Sequence, residues 1–159
     1  RIGEVGPGSQ SWSVALASVA PSSAFGSGDV PRPLLEAAMA AATPPLGAVV
    51  CSFVAVDSTA GRRRLLAAVE DPDVALRTAP VLIVPSVSAA PGTSEQATLL
   101  TAGAAIRSLV VALRAQDLAW SWDPGFVLDP ERVRAALTLD PDRRPIGVVA
   151  AGPMPAGGA

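Results

Sequence analysis

One stretch constrains the fold of this chain more than any other: SEQATLLTAGAAIRSLVVALRAQ, from Ser94 to Gln116. Thr93 or Ser94 can cap a helix here, and Glu95 in its first turn suits the helix dipole. Leu99, Leu100, Ala102, Ala105, Ile106, Leu109, Val110, Val111 and Leu113 surround the axis almost completely. That pattern predicts a helix covered by protein on nearly every side. The most apolar window, Ala97 to Leu113, holds Arg107 near its middle and is shorter than the ~20 residues of a membrane span. Small side chains recur at Thr101, Ala105, Ser108, Ala112 and Ala115, at helical spacing. They allow close backbone approach, so a helix–helix contact is expected there, within a tight core or across a dimer.

The other elements are short. Pro31 opens a helix from Pro33 to Ala42, with Asp29 as a candidate cap, and Thr43-Pro44-Pro45 ends it. Val49 to Val56 reads as a buried strand, near-continuously apolar and β-branched. Asp57-Ser58-Thr59 is a cap signal for a helix from Arg62 to Glu70. A second strand spans Pro80 to Pro85, with proline at both ends. Leu118 to Trp122 is a third strand, followed by an Asp123-Pro124-Gly125 turn. Asp129-Pro130-Glu131 has the favoured cap-and-proline order for a helix to about Leu137, and Ile146 to Ala151 is a closing strand. The expected class is α+β, an antiparallel or mixed sheet around a long buried central helix. With 159 residues there is room for one domain and one core. Its expected limits are a Gly/Ser/Pro-rich lead-in at 1–28, the domain at 29–152 and a flexible tail at 153–159.

Composition removes much of the chemical repertoire. The sequence has no His, Tyr, Lys or Asn, and its basic residues are all Arg. Without His there is no Ser-His-Asp triad, no Cys-His pair and no imidazole metal site. Without Lys there is no Walker A loop and no Schiff base. The single Cys leaves no internal disulfide and no thiolate zinc cluster. A net charge of −2 is wrong for a protein built around nucleic-acid phosphates. The Ala-, Val- and Arg-rich usage fits a GC-rich coding sequence. Trp12 to Ala20 is apolar but interrupted, and clustered positive charge is missing from the start, so no secretion signal is read. With Arg1 in place of Met, the true start is expected elsewhere, and a soluble cytoplasmic setting is expected.

Few constellations carry chemistry by themselves. Arg62-Arg63-Arg64 could grip a phosphate, yet a solvated helix face explains it better. Trp120 and Trp122 flank Ser121 and point to one side of a strand, as a platform for a planar ligand or as a core seal. Cys51 sits mid-strand as a small hydrophobe. The pairs Asp71/Asp73 and Asp140/Asp142 read as loop caps.

Taken in order, several segments resemble the nitroreductase-like flavoprotein superfamily, and within it the C-terminal flavin domain of the actinobacterial coenzyme F-420 glutamyl ligase. They begin with Asp29-Val30-Pro31 through Leu34-Leu35-Glu36-Ala37-Ala38, then Phe53-Val54-Ala55-Val56 and Arg62 to Leu66. Thr78 to Pro85 follows. Gly103 to Leu113 is the most specific, with Leu118, Trp122, Pro130 to Arg134, and Pro145-Ile146-Gly147 before Ala151-Gly152. The resemblance implies an α+β domain paired through its long helix, with FMN at the dimer interface and contacted by both subunits. It also implies nicotinamide-driven reduction of nitro, quinone or other acceptors.

Departures fall where the resemblance implies that FMN is held. An Arg-x-Ser-x-x-Arg-like entry segment is expected at Val19 to Phe25, but only the Phe remains. Each lost charge-assisted hydrogen bond to a phosphate is worth roughly 1.5–3 kcal/mol. Thr43 to Val49 offers almost no donors, the usual amides of the long helix read Arg107-Ser108, and Ala119-Trp120 replaces a small Gly-Ser pair. An indole at Trp120 could occupy the flavin's own space. The late basic residue is missing, and the helix between Glu70 and Thr78 is reduced or lost. The resulting expectation is a degenerate flavin site: no catalytic residue, no metal and no cofactor, with FMN as the alternative. Ser22, Ser23, Arg107, Ser108, Trp120 and Ser121 are the candidate contacts, and Arg107, Arg77 or Arg143 would replace the lost phosphate cations. The expected partner is a second copy or a related chain docked along 94–116, and neither nucleic acid nor membrane.

Overall fold

The computed structural model describes residues 21–43, 47–123 and 129–156. Helix α1 (Arg32–Ala41) leads to strand β1 (Val49–Val56), helix α2 (Thr59–Leu66) and the short helix α3 (Val74–Thr78). Strand β2 (Val81–Ala89), the long helix α4 (Glu95–Ala115) and strand β3 (Leu118–Asp123) follow. Helix α5 (Pro130–Leu137) and strands β4 (Arg144–Pro145) and β5 (Val148–Pro153) complete the described fold. The strands form one sheet in the order β1-β2-β5-β3, with β4 also against β2, and every pairing is antiparallel. The expected α+β class holds, and the sheet is antiparallel rather than mixed.

Strand β2 runs four residues past the expected end at Pro85, and the ladder shows why. A strand residue points its N–H and C=O to the same side. Pro85 accepts from Ile146 N at 3.0 Å, on the side where the chain passes from β4 to β5. Its missing N–H therefore faces a break in the ladder, where proline costs no paired bond.

Alternation along β2 divides the core. Val81 and Ile83 face α1 and α4, packed with Leu35, Ile106, Leu109, Leu113 and Trp120. Leu82 and Val84 face α2, α3 and α5, packed with Leu65, Leu76 and Val133. Local signals start the helices: Ser58 Oγ accepts from Gly61 N, Ser94 Oγ from Ala97 N, and Asp129 from the N–H groups of Glu131 and Arg132. Asp29 does not cap α1; Pro31 takes that position with no side-chain cap. Helix α2 ends at Leu66, short of the expected Glu70. The helix expected to be reduced or lost is α3, five residues long, capped by Asp73 and tied back by an Arg77–Asp71 ion pair of 3.1 Å.

The lead-in is joined to the sheet. Ser22 N donates to Trp120 O at 2.6 Å, and Gly26 N to Pro153 O at 2.8 Å. A Cβ on Gly152 would stand 2.8 Å from the Phe25 ring, so glycine there lets the ring lie against the strand. Residues 1–20 and 157–159 of the expected lead-in and tail lie outside the described residues.

Helix α4 differs most from its expected surroundings. Thr98, Ala102, Ala105, Ile106, Leu109, Val110 and Leu113 are buried, but Leu99, Leu100 and Val111 stand 51%, 68% and 43% exposed. The chain itself covers only one side, with the sheet and α1. By length and composition α4 could cross a membrane, at a mean hydropathy of 1.5, yet its buried side forms the centre of the packed core.

Candidate functional site

The sheet ends at β3, and a groove opens beside that edge. Pro21, Ser22, Ser23, Ser121 and the first residues of α3, Asp73 to Ala75, line a cavity of about 420 Å³. The Ser22, Ser23 and Ser121 hydroxyls make no hydrogen bond among the described residues. Asp73 is already engaged, since its Oδ1 accepts from Leu76 N at 2.7 Å. Among the described residues the groove thus offers three unused hydroxyls and the Asp73 carboxylate, and no cation. Three of the six candidate contacts meet here. The α3 side of the groove was not foreseen, because the Asp73 cap was the only sign of so short a helix.

Trp120 is elsewhere. Its side chain lies on the opposite face of β3 from Ser121, in the core with Leu35, Ala38, Ile106 and Leu109, 8% exposed. Its Nε1–H is buried and has no hydrogen-bond partner among the described residues. Trp122, on the same side of the strand, is 40% exposed. The two indoles therefore form no common platform; one seals the core and the other meets solvent.

Arg107 and Ser108 form the third group, on the open side of α4 and exposed. Neither side chain has a partner among the described residues. A Cβ on Gly103, one turn earlier, would meet nothing within 4 Å, which leaves the approach to Arg107 clear. This pair and the hydroxyl groove face away from each other, across both the sheet and the thickness of α4.

The other proposed cations are committed. Arg77 pairs with Asp71 and donates to Pro72 O. Arg143 donates to Ser52 Oγ at 3.1 Å, and Ser52 Oγ in turn shares a 2.9 Å hydrogen bond with Ser86 Oγ. Arg62 of the basic run donates to the carbonyls of Asp57 and Pro80, a structural clamp rather than an anion site. Burial pushes the Cys51 thiol up to about 11, against the opposing pull of Arg143, so it is a protonated, inert thiol at neutral pH. Among the described residues no three His, Cys, Asp or Glu side chains gather as a metal site. Of the donor-poor stretch after the first helix, Pro44 to Leu46 lie outside the described residues, and Thr43 Oγ1 donates back to Met39 O at 2.6 Å.

No protein-family model matches this chain, and no curated protein matches it in sequence. Solved structures match it over most of its length. A nitroreductase family protein from Streptococcus pneumoniae TIGR4 is similar at a TM-score of 0.73 and 16% identity, covering 93% of this chain and 92% of its own. A nitroreductase with bound FMN from Bacteroides fragilis NCTC 9343 gives 0.71 and 20%, covering 92% and 89%. An FMN-dependent nitroreductase from Clostridium difficile R20291 gives 0.70 and 16%, covering 85% and 83%. The chain has the nitroreductase fold. The expectation of no cofactor is corrected by these matches: one of those proteins holds FMN and another depends on it, so the fold points to FMN rather than to an empty domain.

Proposed function

We propose that this chain is a nitroreductase-fold domain that takes FMN on an atypical site with a weakened hold on the phosphate. In this reading it pairs through the open side of α4, with a second copy or with a related chain. It serves first as a binding and dimerisation module, soluble and cytoplasmic, within a polypeptide similar to the coenzyme F-420 glutamyl ligase. One observation carries the reading: among the described residues, the groove at the β3 edge keeps three hydroxyls free and is lined by no cation.

The residues present fit FMN in part. Ser22, Ser23 and Ser121 would donate to the polar chain of the cofactor, and the exposed leucines and valine of α4 would be covered where two chains meet. FMN, when bound, supplies hydride-accepting redox chemistry. The chain holds its polar chain and excludes water through the interface, and it has no imidazole to move a proton. Replacing two arginine contacts by neutral groups, at roughly 1.5–3 kcal/mol each, weakens phosphate binding by about two to four decades.

The purified protein is expected to be colourless as isolated and to quench flavin fluorescence when FMN is added. A yellow preparation with stoichiometric, undialysable FMN would remove the weakened hold. Failure to take up FMN at any accessible concentration would remove FMN from the reading. A second reading, an FMN-dependent NAD(P)H oxidoreductase with an atypical phosphate site, is favoured by one feature, the free guanidinium of Arg107. NADH-driven bleaching of bound flavin would select it.

A further inference from the structure

We infer that the free edge of strand β1, with helix α1 beside it, is a docking groove for an extended segment of a partner protein, which joins the sheet as one more strand.

The backbone register defines what this edge offers. Ala90 N donates to Ala48 O at 2.8 Å, and these residues stand directly opposite each other in the β1–β2 ladder. Hydrogen-bonded and non-bonded pairs alternate along such a ladder. Val50, Ser52, Val54 and Val56 therefore bond to β2, while Val49, Cys51, Phe53 and Ala55 turn their N–H and C=O groups outward. Pro85 agrees with this phase, because it stands opposite Phe53 and its carbonyl accepts from Ile146 N on the side away from β1. Among the described residues nothing meets the outward groups of Cys51, Phe53 and Ala55. The other edge of the sheet is already met, since Trp120 O accepts from Ser22 N.

An exposed edge strand normally carries a charge, a proline or a bulge that discourages pairing. Strand β1 has none of these: VVCSFVAV holds no charged residue and no proline, and its register with β2 is unbroken. A cavity of about 300 Å³ lies along its second half, between Leu35, Glu36 and Met39 of α1 and Phe53, Ala55 and Asp57. Open backbone groups beside a pocket are what strand addition requires. The backbone supplies affinity, and the pocket selects side chains at alternate positions. A second copy offers the same edge only with its own α1 beside it, whereas the groove between helix and strand has room for a single strand.

Charge sets the remaining requirement. Glu36 is paired with Arg32 at 2.9 Å, but the Asp57 carboxylate has no partner among the described residues. Antiparallel addition, the more stable arrangement per residue, brings the N-terminal end of the segment to Asp57. The occupant is thus apolar at every second position and basic at its N-terminal end.

The test is fluorescence anisotropy of the whole chain with a hexapeptide, arginine followed by alternating valine and threonine, acetylated at one end and labelled at the other. Saturable binding with Kd below about 1 mM is expected. N-methylating one alternate set of peptide amides is expected to weaken binding by about tenfold or more, and methylating the other set to leave it within about twofold. Ala55→Pro removes an outward N–H and no ladder bond, so the chain is expected to keep its circular dichroism and to lose about tenfold or more in affinity. Asp57→Asn is expected to lower affinity for this peptide by about two- to fivefold, with a glutamine-first peptide unaffected. Absence of saturable binding at about 1 mM, or equal weakening by both methylated sets, overturns the proposal. The methylation comparison uses wild-type protein only, so it decides the matter even where Ala55→Pro fails to fold. If Ala55→Pro lowers the scattering mass of the peptide-free protein, the occupant of the edge is a second copy and the proposal falls.

Discussion

The two sides of α4 are made of the same kinds of residue and have opposite surroundings. One side puts Ile106, Leu109, Val110 and Leu113 against the sheet and α1, all at 3% exposure or less. The other leaves Leu99, Leu100 and Val111 in solvent around Arg107. Burying a leucine side chain is worth about 1.5–3 kcal/mol. On the inner side this energy holds the fold together; on the outer side it remains available for association. In the reading proposed above, this exposed apolar side of α4 is where a second chain docks. A helix that reads as hydrophobic all round in sequence thus does not say which of its sides its own chain covers.

The sharpest way to break this comparison is to replace one leucine on each side. Leu109→Ala removes a fully buried side chain from the centre of the larger core cluster and is expected to cost about 2–5 kcal/mol in urea unfolding. Leu100→Glu changes a side chain that is 68% exposed and is expected to move the stability of the isolated chain by less than about 0.5 kcal/mol. Its effect belongs to association, with the scattering mass falling from that of a pair to that of a single chain. If Leu100→Glu unfolds the protein, or leaves the pair intact, the division into a folding side and an associating side is wrong.

Much of the fold was legible because its signals are local. Strand β1 matches its expected limits at both ends, and the Ser94 and Asp129 caps set the starts of α4 and α5 as read. Strand β2 was cut short because a proline looks like a boundary until the ladder beside it is known to be broken. The site was less legible. Ser22, Ser23 and Ser121 are brought together by a backbone bond from Ser22 to Trp120, which no local pattern encodes. The three candidate arginines looked alike in sequence, and only the fold distinguishes Arg77 and Arg143, which are engaged, from Arg107. The cofactor expectation failed because missing cations were read as a missing ligand, whereas the fold, which no short segment reveals by itself, is shared with proteins that hold or depend on FMN.

The smallest expected effect refines the same contrast at β3. Trp120 and Trp122 leave the strand on one side, but the first is enclosed by the core and the second is half in water. Enclosure helps the Trp120 ring and penalises its N–H, which has lost water and gained no acceptor among the described residues. An unmet buried donor costs about 1–3 kcal/mol. Trp120→Phe removes that donor and gives up part of the ring's packing, and the two changes oppose each other. The net shift in urea midpoint is expected to correspond to no more than about 1 kcal/mol, in either direction. Trp120→Ala forfeits the packing as well and is expected to lose about 3–5 kcal/mol. If Trp120→Phe destabilises as much as Trp120→Ala, the indole N–H has an acceptor in solution, and the packed side of α4 contains a polar contact that the comparison treats as absent.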